Sequence, residues 1–163
     1  MRSGKFDTAQ ICLNGHVVTT QYSKMPEQRQ GFCDKCGQPT ITACTTCYTA
    51  IKGNYHNPGV VKLGSAYTAP TFCHGCGEPF PWTWTALNAA KELVSELDDL
   101  SEKEKSIIKS SIDDMIRDTP RTTLAATRFK ELTTKAGTEA VKGFKSILVN
   151  IMPEMAKNIV WPE

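Results

Sequence analysis

Between Cys12 and Cys76 the chain carries all seven of its cysteines and one histidine at ligand spacing, in four close pairs. These are Cys12 with His16, Cys33 with Cys36, Cys44 with Cys47, and Cys73 with Cys76. A tetrahedral Zn²⁺ takes four Cys or His ligands, and a short spacing lets one turn supply two of them. Four pairs therefore match two ions, and the odd cysteine count resolves once His16 is taken as the eighth ligand. The expected cofactor is two structural Zn²⁺ ions held by Cys12, His16, Cys33, Cys36, Cys44, Cys47, Cys73 and Cys76. A disulfide framework would leave one thiol unpaired and would need an oxidising compartment.

A chain of 163 residues has room for one domain or two small ones. Its apolar fraction and mixed charge are those of a soluble globular protein. Met1 to Gln10 lacks the apolar core of a secretory signal, and no later run is apolar and long enough to span a bilayer. The expected setting is the cytoplasm, where thiols stay reduced and open to metal, with no membrane partner. Residues 1–81 hold seven Lys and Arg (Arg2, Lys5, Lys24, Arg29, Lys35, Lys52, Lys62) against four acids (Asp7, Glu27, Asp34, Glu78). Seven thiolates and two divalent cations together remove that surplus of three, so the metal-bound half is close to neutral. Residues 82–163 hold twelve basic and thirteen acidic side chains. Neither half offers the cationic surplus on which phosphate binding depends.

Residues 8–22 read as strand, tight turn, strand: Val17 to Thr20 are β-branched, and Asn14-Gly15 tolerates positive φ. Residues 23–31 are polar and loop-like. In residues 31–53 the two CxxC pairs are separated by seven residues, enough for a short hairpin through Thr40, Ile41 and Thr42. Here the sequence resembles the zinc-ribbon family, whose knuckles read CxxCG, as Cys33 to Gly37 and Cys73 to Gly77 do. Glycine after the second cysteine lets backbone amides turn toward the thiolates. A thioredoxin-like redox motif would instead need a single CxxC in a βαβ context.

Residues 53–70 are rich in Gly, Pro and Asn around a short strand candidate at Val60-Val61. His56 lies among turn formers and His74 between two ligands, so both are left out of the metal set. Phe80, Trp82 and Trp84 form the most aromatic stretch and are expected to pack as a seam between the metal half and the helices. From Trp84 the apolar period becomes helical, with Leu87, Ala90, Leu93, Val94 and Leu97 on one face of a helix over 84–98. Ser101 and Glu104 make a capping box for a second helix carrying Ile107, Ile108, Ile112, Met115 and Ile116. Pro120 opens a third, with Leu124, Ala125, Phe129 and Leu132 inward, and Gly137 closes it. Ala140 to Ile151 form a fourth, and Pro153 starts a short last turn through Ile159, Val160 and Trp161.

CxxxH, two close CxxC pairs, a final FCHGCGEPFPWT and then helices together resemble an uncharacterised family of small bacterial zinc-ribbon proteins. The resemblance implies the ligand positions and no activity. The fold class is α+β: a two-zinc β-ribbon, of zinc-ribbon or RING-like cross-brace type, over 1–81, then a small helical bundle over 82–163. Of three ligand pairings, the expected one is nested, with Cys33, Cys36, Cys44 and Cys47 on one ion and the outer pairs on the other. An interleaved cross-brace comes next and sequential pairing last. The expected function is a non-catalytic adaptor that binds a protein partner, since two closed four-ligand sites leave no position for substrate. The alternatives are a nucleic-acid-binding ribbon using Lys24, Arg29, Lys35, Lys52 and Lys62 with Tyr55 or Trp82, and a RING-like ubiquitin-ligase module.

Overall fold

β-Branched residues on both sides of Asn14-Gly15 set up a hairpin, and a computed structural model, which describes residues 4–60 and 66–163, contains it. Strands β2 (Gln10–Cys12) and β3 (Val17–Thr19) pair antiparallel, with Ile11 opposite Val17. Gly15 turns the chain at φ +87°, and a Cβ there would press on the Trp82 ring. A third strand, β4 (Thr40–Ile41), pairs with the other edge of β2, placing Ile41 opposite Ile11 and Thr40 opposite Cys12. A separate two-stranded sheet joins β1 (Lys5–Thr8) to β5 (Lys52–His56). Of the expected strand at Val60-Val61, Val61 lies outside the described residues and Val60 is in no strand.

By internal contacts the chain divides into two compact units, Met1–Thr83 and Trp84–Glu163. The first has a small core of Ala9, Ile11, Cys44, Ile51, Cys73, Phe80 and Trp82. The Trp82 indole donates to the Pro70 carbonyl (2.8 Å) and stacks on Phe80 with ring centroids 4.6 Å apart. Phe80 and Trp82 are thus core residues of the first unit, and Trp84 is half exposed. Proline at the first helical position is tolerated because its missing N–H has no intrahelical partner to lose. Hence α1 spans Pro81–Ser95 and begins three residues before the apolar period starts.

In the second unit, α2 (Glu102–Met115), α3 (Thr122–Ala136), α4 (Thr138–Leu148) and α5 (Glu154–Val160) follow the helical periods of the sequence. α3 packs against α2, α4 and α5. Its buried face is Thr122, Ala125, Ala126, Phe129 and Thr133, so Leu124 is half exposed and not inward. Two threonines take the buried positions because their hydroxyls are satisfied locally: Thr133 donates to the Phe129 carbonyl (2.8 Å) and Thr122 to that of Arg117.

The capping box at α2 is present in both directions. Ser101 Oγ accepts from the Glu104 amide (3.2 Å), and the Ser101 amide donates to the Glu104 carboxylate (2.9 Å). The other Glu104 oxygen meets Lys135 Nζ on α3 at 2.6 Å. Lys135 first, then the Ser101 amide, pull the Glu104 pKa down from 4.5 to about 2. A carboxylate with a depressed folded pKa contributes stability above its unfolded value and loses it as pH falls through the folded one. Acid titration of the second unit by circular dichroism is therefore expected to show a loss of stability between pH 4.5 and 2 that Glu104→Gln removes.

Candidate metal centre

One backbone motif occurs three times in the first unit. In each CxxC the residue after the second cysteine donates its N–H to the first cysteine's carbonyl: Gly37 to Cys33 (2.8 Å), Tyr48 to Cys44 (3.0 Å) and Gly77 to Cys73 (2.8 Å). The first cysteine's N–H then bonds the carbonyl five residues on, at Gln38, Thr49 and Glu78. Flanking residues close each knuckle as bridges, Phe32 with Pro39, Ala43 with Ala50, and Phe72 with Pro79. Such a turn needs positive φ at the position after the second cysteine. Gly37 (72°) and Gly77 (77°) supply it freely, whereas Tyr48 adopts φ 61° with a Cβ.

The Tyr48 ring is 81% exposed, so its strained backbone is not offset by burial. Tyr48→Gly is expected to raise the stability of the metal-bound chain by up to about 1 kcal/mol, read from the guanidinium midpoint. A lower midpoint would mean that the ring supports the knuckle.

The knuckles and the first hairpin gather the eight expected ligands into two groups, Cys12, His16, Cys33 and Cys36, and Cys44, Cys47, Cys73 and Cys76, with the ligand atoms of each within 4.8 Å of one another. This corrects the nested expectation, and it separates Cys12 and His16 from Cys44 and Cys47, which a cross-brace would join. The cause lies in the strands. β4 does not fold back into a hairpin between the two CxxC pairs; it pairs with β2, and the Leu13 amide extends that ladder to the Pro39 carbonyl (3.1 Å). The knuckle just before β4 is thus set beside Cys12 at the end of β2. Gly75 in the third knuckle lies so close to Thr49 that a Cβ would collide with its hydroxyl, which seats the third knuckle on the second.

Within the first group, His16 Nδ1 is 3.5 Å from both Cys12 Sγ and Cys33 Sγ, and Cys12 Sγ is 3.7 Å from Cys36 Sγ. In the second, Cys44 to Cys76 is 3.8 Å and Cys47 to Cys73 is 3.6 Å. These separations are far beyond the roughly 2.05 Å of a disulfide. Backbone amides face the sulfurs: His16 N–H to Cys12 (3.3 Å), Thr46 N–H to Cys44 (3.4 Å) and Gly75 N–H to Cys73 (3.3 Å). Each group combines two buried cysteines, Cys12 with Cys33 and Cys44 with Cys73, with one exposed cysteine, Cys36 or Cys76.

Crowding drives the thiols apart in acidity. Cys47 is lowered to about 6, first by the Thr49 hydroxyl 3.1 Å away. Cys76 is pushed up to about 12: the Glu78 amide lowers it, and desolvation with the neighbouring Cys47, Cys44 and Cys73 outweighs that. Amides of Cys47 and Thr46 lower Cys44, the Gln38 amide lowers Cys36, and burial raises Cys12. A cluster of this kind holds all its thiols as thiolates only when a cation is among them. Each group can hold one metal ion.

The other candidates of the sequence fall outside these groups. His56 and His74 are exposed and belong to neither. Trp82 is buried, so it is no stacking platform. The Arg29 guanidinium lies 4.1 Å over the Tyr22 ring and bonds the Tyr22 carbonyl. Lys62 lies outside the described residues. Sequence reasoning missed that Ala43 to Ala50 repeats the CxxCG turn, because Tyr48 hides the glycine signature.

Among the described residues no helix is long and apolar enough to cross a membrane. Residues 5–160 match a family model described as "Uncharacterized protein conserved in bacteria (DUF2321)". No curated protein and no solved structure matches the chain.

Proposed function

Because the chain belongs to this bacterial family of uncharacterized proteins (DUF2321), whose description names no activity, we propose a function from the site alone: a non-catalytic, cytoplasmic adaptor whose two structural Zn²⁺ ions hold a protein-binding surface. The observation that carries it is the completeness of each ligand group. Four protein donors fill a tetrahedral ion, whereas catalytic zinc keeps a corner for water or substrate. The spacing supports zinc as the metal. Bonds of about 2.3 Å to sulfur and 2.0–2.1 Å to nitrogen give tetrahedral edges of about 3.8 Å between sulfurs and 3.6 Å between sulfur and nitrogen, close to the 3.6–3.8 Å and 3.5 Å found.

The protein-contact part of the reading is supported by aromatic area left in solvent beside the knuckles. Phe32 is 68% exposed and Tyr48 81% exposed, the latter on a strained backbone of the sort associated with recognition. Affinity capture from a bacterial lysate, with the chain zinc-loaded and then chelated, tests the adaptor reading. A protein retained by the loaded chain and released on chelation is expected; nothing retained by the loaded chain would overturn it.

A further inference from the structure

Phe6 of β1 stands between two hollows in the first unit. One, of about 340 Å³, is walled by Phe6, Ile51, Tyr67, Pro70, Phe72 and Phe80, with exposed Lys52 and His74 also lining it. The other, of about 140 Å³, is lined by Phe6 with Lys5, Asp7, Ser23, Lys24 and His56. Among the described residues no acid lines the first hollow. Lys52 Nζ lies 5.0 Å from the Phe6 ring centre, and among the described residues Lys5, Lys24 and Lys52 form no ion pair with an acid.

We propose that the larger hollow takes the aromatic side chain of an acidic peptide segment in a partner protein, with Lys52 and the Lys5–Lys24 pair meeting carboxylates on its flanks. The proposal rests on the adaptor reading and names its contact site. The volume is at the small end of the roughly 300–1,000 Å³ of ligand sites, so it suits one ring and not an extended cofactor. Walls that are mostly carbon accept a phenyl or indole ring, but would leave the polar edge of a nucleobase without partners.

Calorimetric titration of the full zinc-loaded chain tests this with four probes: blocked Glu-Glu-Trp-Glu-Glu, Glu-Glu-Ala-Glu-Glu, Lys-Lys-Trp-Lys-Lys, and oligothymidylate. The acidic tryptophan peptide is expected to bind at least about tenfold tighter than the other three, to weaken with salt, and to lose about tenfold in both Lys52→Glu and Phe6→Ala. Lys52 is exposed, so its reversal leaves the fold intact even if Phe6→Ala does not. Equal affinity for the three peptides, tighter binding of oligothymidylate, or indifference to Lys52→Glu would overturn the assignment. Metal content and lysate capture on the same preparations separate the failures. Two ions and a captured partner without the peptide preference refute the hollow alone; nothing captured refutes the adaptor reading as well.

Discussion

Stripping the metal from the purified chain is expected to unfold the first unit and leave α2 to α5 folded. Among the described residues seven buried side chains form its hydrophobic cluster, and two of these, Cys44 and Cys73, belong to a candidate metal group. Its strands are two to five residues long, too short to be stable without a larger core. Structural zinc contributes roughly 10–16 kcal/mol of apparent binding per site, so two sites together exceed the whole stability of about 5–15 kcal/mol usual for a domain. Chelation followed by amide NMR is the check. Signals from residues 4–60 and 66–83 should collapse toward random-coil positions while those from 102–160 stay dispersed, and zinc should restore the lost set. Dispersion that survives chelation throughout would show that apolar packing alone holds the knuckles.

The second large effect belongs to the helices. Phe129 and Phe144 are fully buried on α3 and α4, with ring centres 5.1 Å apart and planes at 76°, an edge-to-face contact. Since α3 packs against three other helices, a cavity at Phe129 lies where the fewest neighbours can move to fill it. Phe129→Ala is expected to cost about 3–5 kcal/mol, leaving the second unit marginal or unfolded. The double variant with Phe144→Ala should fall short of the sum of the singles, because the two rings share one contact. Denaturant titration by circular dichroism reads both, and zinc content should stay at two ions per chain. Loss of zinc in Phe129→Ala would contradict separate stabilisation of the two units.

Much of this was legible in the residues. The helical period after Trp84 marks α1, which runs over Pro81–Ser95 where the period pointed to 84–98, and the Ser101–Glu104 capping box fixes the start of α2, because both rest on local chemistry. On α3, Ala125 and Phe129 are buried as expected, whereas Leu124 is half exposed and Thr122 and Thr133 are buried; expecting only apolar residues inside fails where a hydroxyl finds a nearby carbonyl, Thr133 within its own helix and Thr122 at Arg117 just before it. The eight residues of the two groups are visible from spacing, since metal chemistry restricts which side chains can serve. Their partition is not. It depends on β4 pairing with β2 instead of closing a local hairpin, and a two-residue strand carries no pattern strong enough to choose between those partners. The Phe6 hollow was invisible for a related reason: Phe6 is distant in sequence from Tyr67, Phe72 and Phe80 and meets them only in the folded unit.

Substituting cadmium for zinc and recording cadmium–proton correlations tests the central claim most directly, because each cysteine's β-protons couple only to the ion its sulfur holds. Two cadmium signals are expected, one correlated with Cys12, Cys33, Cys36 and the His16 ring, the other with Cys44, Cys47, Cys73 and Cys76. A single signal, or one ion shared by Cys36 and Cys44, would contradict the account.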